Sequence, residues 1–178
     1  MAKAAATTLA ETNRPVGALW ASPLERAQQS AQPFAKLFDL AIQTDDRLIE
    51  PTNKFEGQTF EFGPKVLLRP RSWPWVLNPF RPSWGEPYES VASRMLEVVE
   101  DVWNKTESGD AVLVSHQMPI WTLVNFLAGR KLWHDPRKRR CSLSSITSLA
   151  REGETFKEVG YVETNAKLLA NSIDNGAV

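Results

Sequence analysis

One cysteine, Cys141, and two histidines, His116 and His134, are all that 178 residues contain of these types. A lone cysteine excludes an internal disulfide framework and suits a reducing cytoplasm. Three thiol and imidazole groups also fall short of the four ligands of a structural zinc site, so no dedicated zinc site is expected. Excess charge is missing too. Lys and Arg total 21 against 21 Asp and Glu, which leaves no whole-chain field to draw in nucleic acid or an anionic membrane. No apolar run approaches the ~20 residues that span a bilayer, and no charged-then-apolar leader opens the chain. These absences leave a soluble, cytoplasmic chain, long enough for one domain over residues 1–178 with a full core.

What is present is organised around Ala111 to Trp121, read as Ala-Val-Leu-Val-Ser-His-Gln-Met-Pro-Ile-Trp. Four apolar residues without alternation predict a strand buried on both faces of a parallel sheet. Ser115 and His116 arrive where the strand ends. Pro119 fits the first turn of a following helix, where no backbone N–H is needed. Ile120, Leu123, Val124, Leu127 and Ala128 give that helix an apolar face, and Gly129 stops it. Ligands bind outside the carboxyl ends of strands in open α/β sheets, and helix N-termini attract anions. A histidine at this place is either a phosphate contact or an ordinary hydrogen-bonded loop histidine.

The pattern has a counterpart earlier in the chain. Met1 to Thr12 is an alanine-rich helix by propensity, with no capping side chain ahead of it. Val16 to Ala21 is a short apolar strand, and Ser22-Pro23 opens an amphipathic helix in which Pro33 predicts a break or kink. Arg26 falls in the first turn, where the helix dipole disfavours a cation by about 0.3–1 kcal/mol. It is either a solvated arginine or one that grips an anion through its bidentate fork. Ala41 to Thr44 reads as a further strand, followed by Asp45-Asp46. Glu50 then stands at the lip of the sheet, as a proton donor or as a helix-cap acceptor.

Composition changes from Pro51 to Pro87, which holds seven of the twelve prolines and three of the seven tryptophans. So many aromatics predict an ordered lid or substrate-side insertion rather than disorder. Its Arg69, Arg71 and Arg81 read as solvated by default. Glu89 to Thr106 is the clearest helix, with Val91, Met95, Val98, Val99 and Val102 at core spacing. The basic run Arg137-Lys138-Arg139-Arg140 predicts a solvated face, and His134 lies in no context that gives it chemistry. Ser142 to Ala150 and Phe156 to Val162 form a predicted hairpin, before a tail with a short helix from Glu163.

Four of these stretches, in order, resemble the motifs of one family. Ser22-Pro23-Leu24-Glu25-Arg26-Ala27 is similar to its Ser-Pro-Leu-x-Arg-Ala motif, and Leu48-Ile49-Glu50 with Phe55-Glu56-Gly57 to its acidic segment. Trp84-Gly85-Glu86-Pro87-Tyr88-Glu89, with Arg94 downstream, resembles the Gly-Glu-Ser-Tyr motif, with Pro87 in place of the serine. Val112-Leu113-Val114-Ser115-His116 resembles its second histidine motif. The family is the histidine phosphatase superfamily, also called phosphoglycerate mutase-like.

The resemblance implies a three-layer αβα sandwich around a mostly parallel central sheet. It also implies hydrolysis of phosphoric monoesters through a phosphohistidine, with no metal or cofactor, on a phosphorylated small-molecule substrate. Arg26 would clamp the phosphoryl oxygens and His116 would stabilise their charge. Glu50 would protonate the leaving alkoxide. Ser22 would join Arg26 at the phosphate, Ser115 would orient its neighbour, and Gly85 and Glu86 would shape the substrate side.

The family's nucleophile lies in an Arg-His-Gly motif after its first strand, and this sequence contains no Arg-His-Gly. The uncapped helix at Met1 matches the element that follows that strand. The expectation is therefore a chain shortened at its N-terminus, lacking the first strand and inactive as written. The alternative is a non-catalytic phosphate-binding or scaffold module, a pseudophosphatase.

Overall fold

A computed structural model describes residues 1–51, 86–134 and 138–165. Residues 52–85 of the insertion, including Gly85, Trp84 and the three arginines within it, lie outside the described residues, as do Arg137 and the residues from 166 on, where most of the tail helix is expected.

Helix α1 (Ala2–Glu11) has no side-chain cap at its N-terminus, while Thr12 Oγ1 donates to the Leu9 carbonyl at 2.6 Å at its end, and strand β1 (Val16–Ala21) follows it. Helix α2 (Glu25–Phe38) begins two residues after Pro23, and of the break or kink expected at Pro33 the break does not occur: the helix is continuous through it. A proline there removes only the bond to the Gln29 carbonyl. Burial of Ala27, Ala31 and Phe34 holds the helix together on either side. Strand β2 is short, Gln43–Thr44, and leads into a 3-10 turn, Asp46–Leu48. Helix α3 (Tyr88–Lys105), strand β3 (Asp110–Val114), helix α4 (Gln117–Leu127) and the antiparallel pair β4 (Ile146–Glu152) and β5 (Thr155–Val162) complete the order.

β1 lies between β2 and β3, parallel to both, with Trp20 opposite Gln43 and Leu113, and Ala21 opposite Thr44 and Val114. Helices cover both faces. On one side α1 and α2 bury Ala5, Ala6, Ala31 and Phe34 with Leu19 and Ala21, and Val112 and Val114 pack against them. On the other, Val91, Met95, Val98 and Val102 of α3 join Met118 and Leu123 of α4 and Leu48, against Trp20, Ala111 and Leu113. Alternate residues of β1 and β3 thus feed opposite cores. This is the three-layer α/β arrangement with a parallel sheet. A buried valine contributes about 1.5–3 kcal/mol, so the α3 stripe alone is a large part of the second core.

Two glycines set how closely β1 and β3 approach. The register shifts between Val16 and Ala18, and a Cβ on Gly17 would come within 1.9 Å of the Ser108 carbonyl oxygen. Gly109 takes φ +78 beside Pro15, a left-handed conformation natural to glycine.

β3 differs from expectation. All five of its residues are only half-buried, although the sequence predicts burial on both faces. β1 pairs along one of its edges, and among the described residues no strand pairs along the other. β4 and β5 likewise form a sheet of their own, with a register shift between Ser148 and Leu149.

Candidate active site

Because β1, β2 and β3 are parallel, their carboxyl ends share one edge of the sheet. Ser22 follows β1, Glu50 follows β2 and its turn, and Ser115-His116 follows β3. α2 and α4 also present their N-termini there, with Arg26 in the first turn of α2 and His116 as the residue capping α4. The fold collects at one place the residues that the sequence scatters over almost a hundred positions.

His116 is at the centre and is 8% exposed. Arg26 Nε–H donates to its Nδ1 at 3.2 Å, and its Nε2 lies 2.9 Å from Ser22 Oγ. Arginine has no acceptor, so Nδ1 must offer its lone pair. The neutral ring therefore carries its proton on Nε2 and donates to Ser22. Burial first, then the positive charges of Arg26 and Arg94, lowers the His116 pKa to about 4, which keeps the ring neutral near pH 7. Glu50 Oε2 approaches Nδ1 at 3.7 Å. Against a neutral imidazole this contact is no ion pair. Ser22 itself is fully buried. Its N–H donates to the Val114 carbonyl at 2.9 Å, and its carbonyl accepts from Gln28 Nε2 at 2.7 Å.

Glu50 is positioned through the turn before it. Asp45 takes two bonds from the Arg47 side chain, at 3.0 and 2.8 Å, and Arg47 also pairs with Asp101 of α3 at 2.9 Å. These bonds hold the Asp45 carboxyl below its usual pKa. Arg94 of α3 donates to the Arg47 carbonyl, and Ser115 Oγ donates to the Leu48 carbonyl at 2.7 Å. Ser115 therefore fastens the acidic segment to the end of β3, where the sequence reading had it orienting His116.

With this geometry the comparisons are specific. Residues 1–164 match the pattern of the histidine phosphatase superfamily (branch 1). The chain belongs to the histidine phosphatase superfamily. An uncharacterized protein of Mycobacterium tuberculosis (strain H37Rv) is 46% identical over 165 residues, 93% of this chain and 82% of its own length. Among solved structures, Bacillus stearothermophilus YhfR is similar with a TM-score of 0.69 and 23% identity, over 89% of this chain and 78% of its own. Phosphoserine phosphatase from Entamoeba histolytica, in complex with 3-phosphoglyceric acid, gives a TM-score of 0.69 at 17% identity, over 92% and 81%. A mycobacterial glucosyl-3-phosphoglycerate phosphatase gives 0.65 at 22%, over 88% and 79%. At these identities the structures establish the fold.

In this superfamily member Glu86 accepts twice from Arg94 Nε, at 3.0 Å each, and once from Ser90 Oγ at 2.7 Å. It holds Arg94, whose charge reaches His116. Arg94 belongs to the motif in sequence, where nothing marks this role for it. Among the described residues no three His, Cys, Asp or Glu side chains gather as metal ligands, and no helix is long and apolar enough to cross a membrane.

The basic run also divides. Lys138 and Arg140 are exposed, as expected, but Arg139 is half-buried. Its Nε–H donates to His134 Nε2 at 2.9 Å, and its side chain bonds the Tyr88 hydroxyl. Nothing in four consecutive basic residues marks the third as the one that turns inward. Cys141 next to it is buried, and burial pushes its thiol up to about 11, far from a reactive thiolate.

Proposed function

We propose that this site binds and transfers the phosphoryl group of small-molecule phosphoric monoesters, within one histidine phosphatase-like domain spanning residues 1–178. The observation that carries the reading is the Ser22–His116–Arg26 cluster at two helix N-termini. Arg26 is the clamp on non-bridging oxygens. Its fixed fork suits them, and an anion there relieves the unfavourable position of a cation in the first turn of α2. His116 becomes a second donor where charge develops when its Nε2–H turns from Ser22 Oγ to a phosphoryl oxygen. Glu50, held at the rim by Arg47, Arg94 and Ser115, is the acid that protonates the departing alkoxide. Ser22 completes the phosphate contacts, and Glu86 shapes the substrate side through Arg94.

Hydrolysis through a phosphohistidine needs a nucleophilic imidazole opposite His116. This sequence has no Arg-His-Gly, and His134 is committed to Arg139 and the Leu132 carbonyl. The 178 residues therefore supply the clamp, the charge stabiliser and the acid, and no second histidine opposite His116 to accept the phosphoryl group. Among the described residues no strand pairs along the second edge of β3, the strand that leads to His116, so a strand carrying the acceptor would pair there. Without such a strand the chain is a phosphate-binding module, and the missing motif is the observation that favours this second reading.

Phosphorylated metabolites are the substrate class, and the similar phosphatases named above act within it. The balanced charge supports no role for nucleic acid, and the single buried cysteine fits a reducing cytoplasm.

The test is binding of orthovanadate, a phosphoryl mimic, to the 178-residue chain by calorimetry, with p-nitrophenyl phosphate turnover measured beside it. Saturable vanadate binding that Arg26→Met abolishes, with no turnover, is expected. Turnover with phosphate trapped on His116 would overturn the assigned roles, and no binding would overturn the site.

A further inference from the structure

Arg139 stands in an arrangement that solvation does not explain. The Cys141 carbonyl accepts from Gln117 Nε2 at 3.0 Å, which lays the segment around Arg139 beside the first turn of α4, next to His116. From α3, Tyr88 bonds the guanidinium, and the Tyr88 ring lies 5.4 Å from the His134 ring. His134 Nδ1 lies 2.6 Å from the Leu132 carbonyl, so it donates there and keeps Nε2 as an acceptor for Arg139. Both groups that hold Arg139 are thus neutral.

A half-buried cation among neutral acceptors is costly unless an anion balances it. Among the described residues, the carboxylate whose field reaches Arg139 is that of Glu50, which also approaches His116. When Glu50 is protonated as the acid of the reaction, that balance is lost. His134 and Tyr88 engage two of the five N–H donors of the guanidinium, so the planar fork retains donors for a carboxylate.

We infer that Arg139, braced by His134 and Tyr88, is a second anion seat beside Glu50, and that the preferred phosphate esters carry a carboxylate near the ester oxygen. Arg139 is then a specificity residue, and the inference rests on the phosphate site proposed above. A leaving group with a carboxylate restores the charge balance that Glu50 gives up on protonation. A neutral leaving group does not.

Phosphoglycolate and ethyl phosphate share a phosphate on a two-carbon frame, and only the first has a carboxylate. Calorimetric titration of the 178-residue chain is expected to show phosphoglycolate binding about tenfold more tightly, the scale of one added charge-assisted contact. Arg139→Met should bring the two within about twofold while leaving ethyl phosphate unchanged, and Arg139→Lys should keep part of the preference. Arg26→Met should abolish both. Equal binding of the two ligands by the unmodified chain would overturn the inference while leaving the phosphate site intact. Equal weakening of both by Arg139→Met, with a lowered melting temperature, would show a structural brace and overturn it too. Failure of either ligand to bind at all would overturn the phosphate site and this inference together.

Discussion

Arg26 and His116, ninety positions apart in sequence, meet at 3.2 Å between Nε and Nδ1. The contact decides the tautomer of the histidine and helps decide its charge. An imidazolium has no lone pair for Arg26, so protonation breaks the bond and sets two cations side by side.

Replacing Arg26 with methionine is therefore expected to raise the His116 pKa from about 4 toward the ordinary value of about 6.5. Burial, the larger cause, remains, so the rise should be partial. NMR titration of the His116 ring protons measures it. An unchanged value would mean that burial and Arg94 account for the depression without Arg26.

The same depression couples stability to pH. Between about pH 4 and pH 6.5 the unfolded chain holds a proton on His116 that the folded chain does not. The stabilisation is complete above the unfolded value and is lost as pH falls through this window, by up to about 3 kcal/mol. Urea unfolding at the two limits should show the loss. His116→Asn should remove most of it, since asparagine does not titrate.

Glu86 and Arg94 give a separate prediction. Glu86→Gln leaves a half-buried arginine without its carboxylate, at a cost of about 1–3 kcal/mol, measurable by chemical denaturation. Adding Arg94→Met removes the stranded charge and should recover part of the loss. Full additivity of the two substitutions would count against direct pairing.

Gly17→Ala tests the approach of β1 to the Ser108–Gly109 turn. A methyl group 1.9 Å from a backbone carbonyl oxygen cannot be accommodated by rotating a side chain. The substitution should cost more than about 3 kcal/mol or yield insoluble protein. A melting temperature within a degree or two of the parent (about 0.5 kcal/mol or less) would contradict the geometry.

Much of this arrangement is legible in the residues. β1 falls at Val16–Ala21 as read, because an unbroken apolar run between Pro15 and Ser22-Pro23 has few other solutions. His116 and Gly129 bound α4 as expected, one as its N-cap and the other in a left-handed turn just beyond it. Patterns of this kind report contacts local in sequence. Ser115 reaching the Leu48 carbonyl and Arg139 reaching His134 and Tyr88 are decided by how distant segments pack, and a serine or an arginine looks the same in either setting. The half-buried state of β3 has the same origin. Val112, Leu113 and Val114 specify a strand that is able to be covered on both faces, but coverage belongs to the neighbours.

The middle position of β1 has a consequence in polymer terms. Pairing Val16 with Asp110 closes a ring through the whole proline- and tryptophan-rich connection. The entropy of such a ring grows only with the logarithm of its length, so doubling the connection costs about 0.6 kcal/mol. Arg47 holds its near end to Asp101, and Arg94 holds its far end to the carbonyl of Arg47. The connection is thus a replaceable cassette between two clasped ends. Changes in its length leave the sheet, the Arg26–His116 contact and their stability almost untouched.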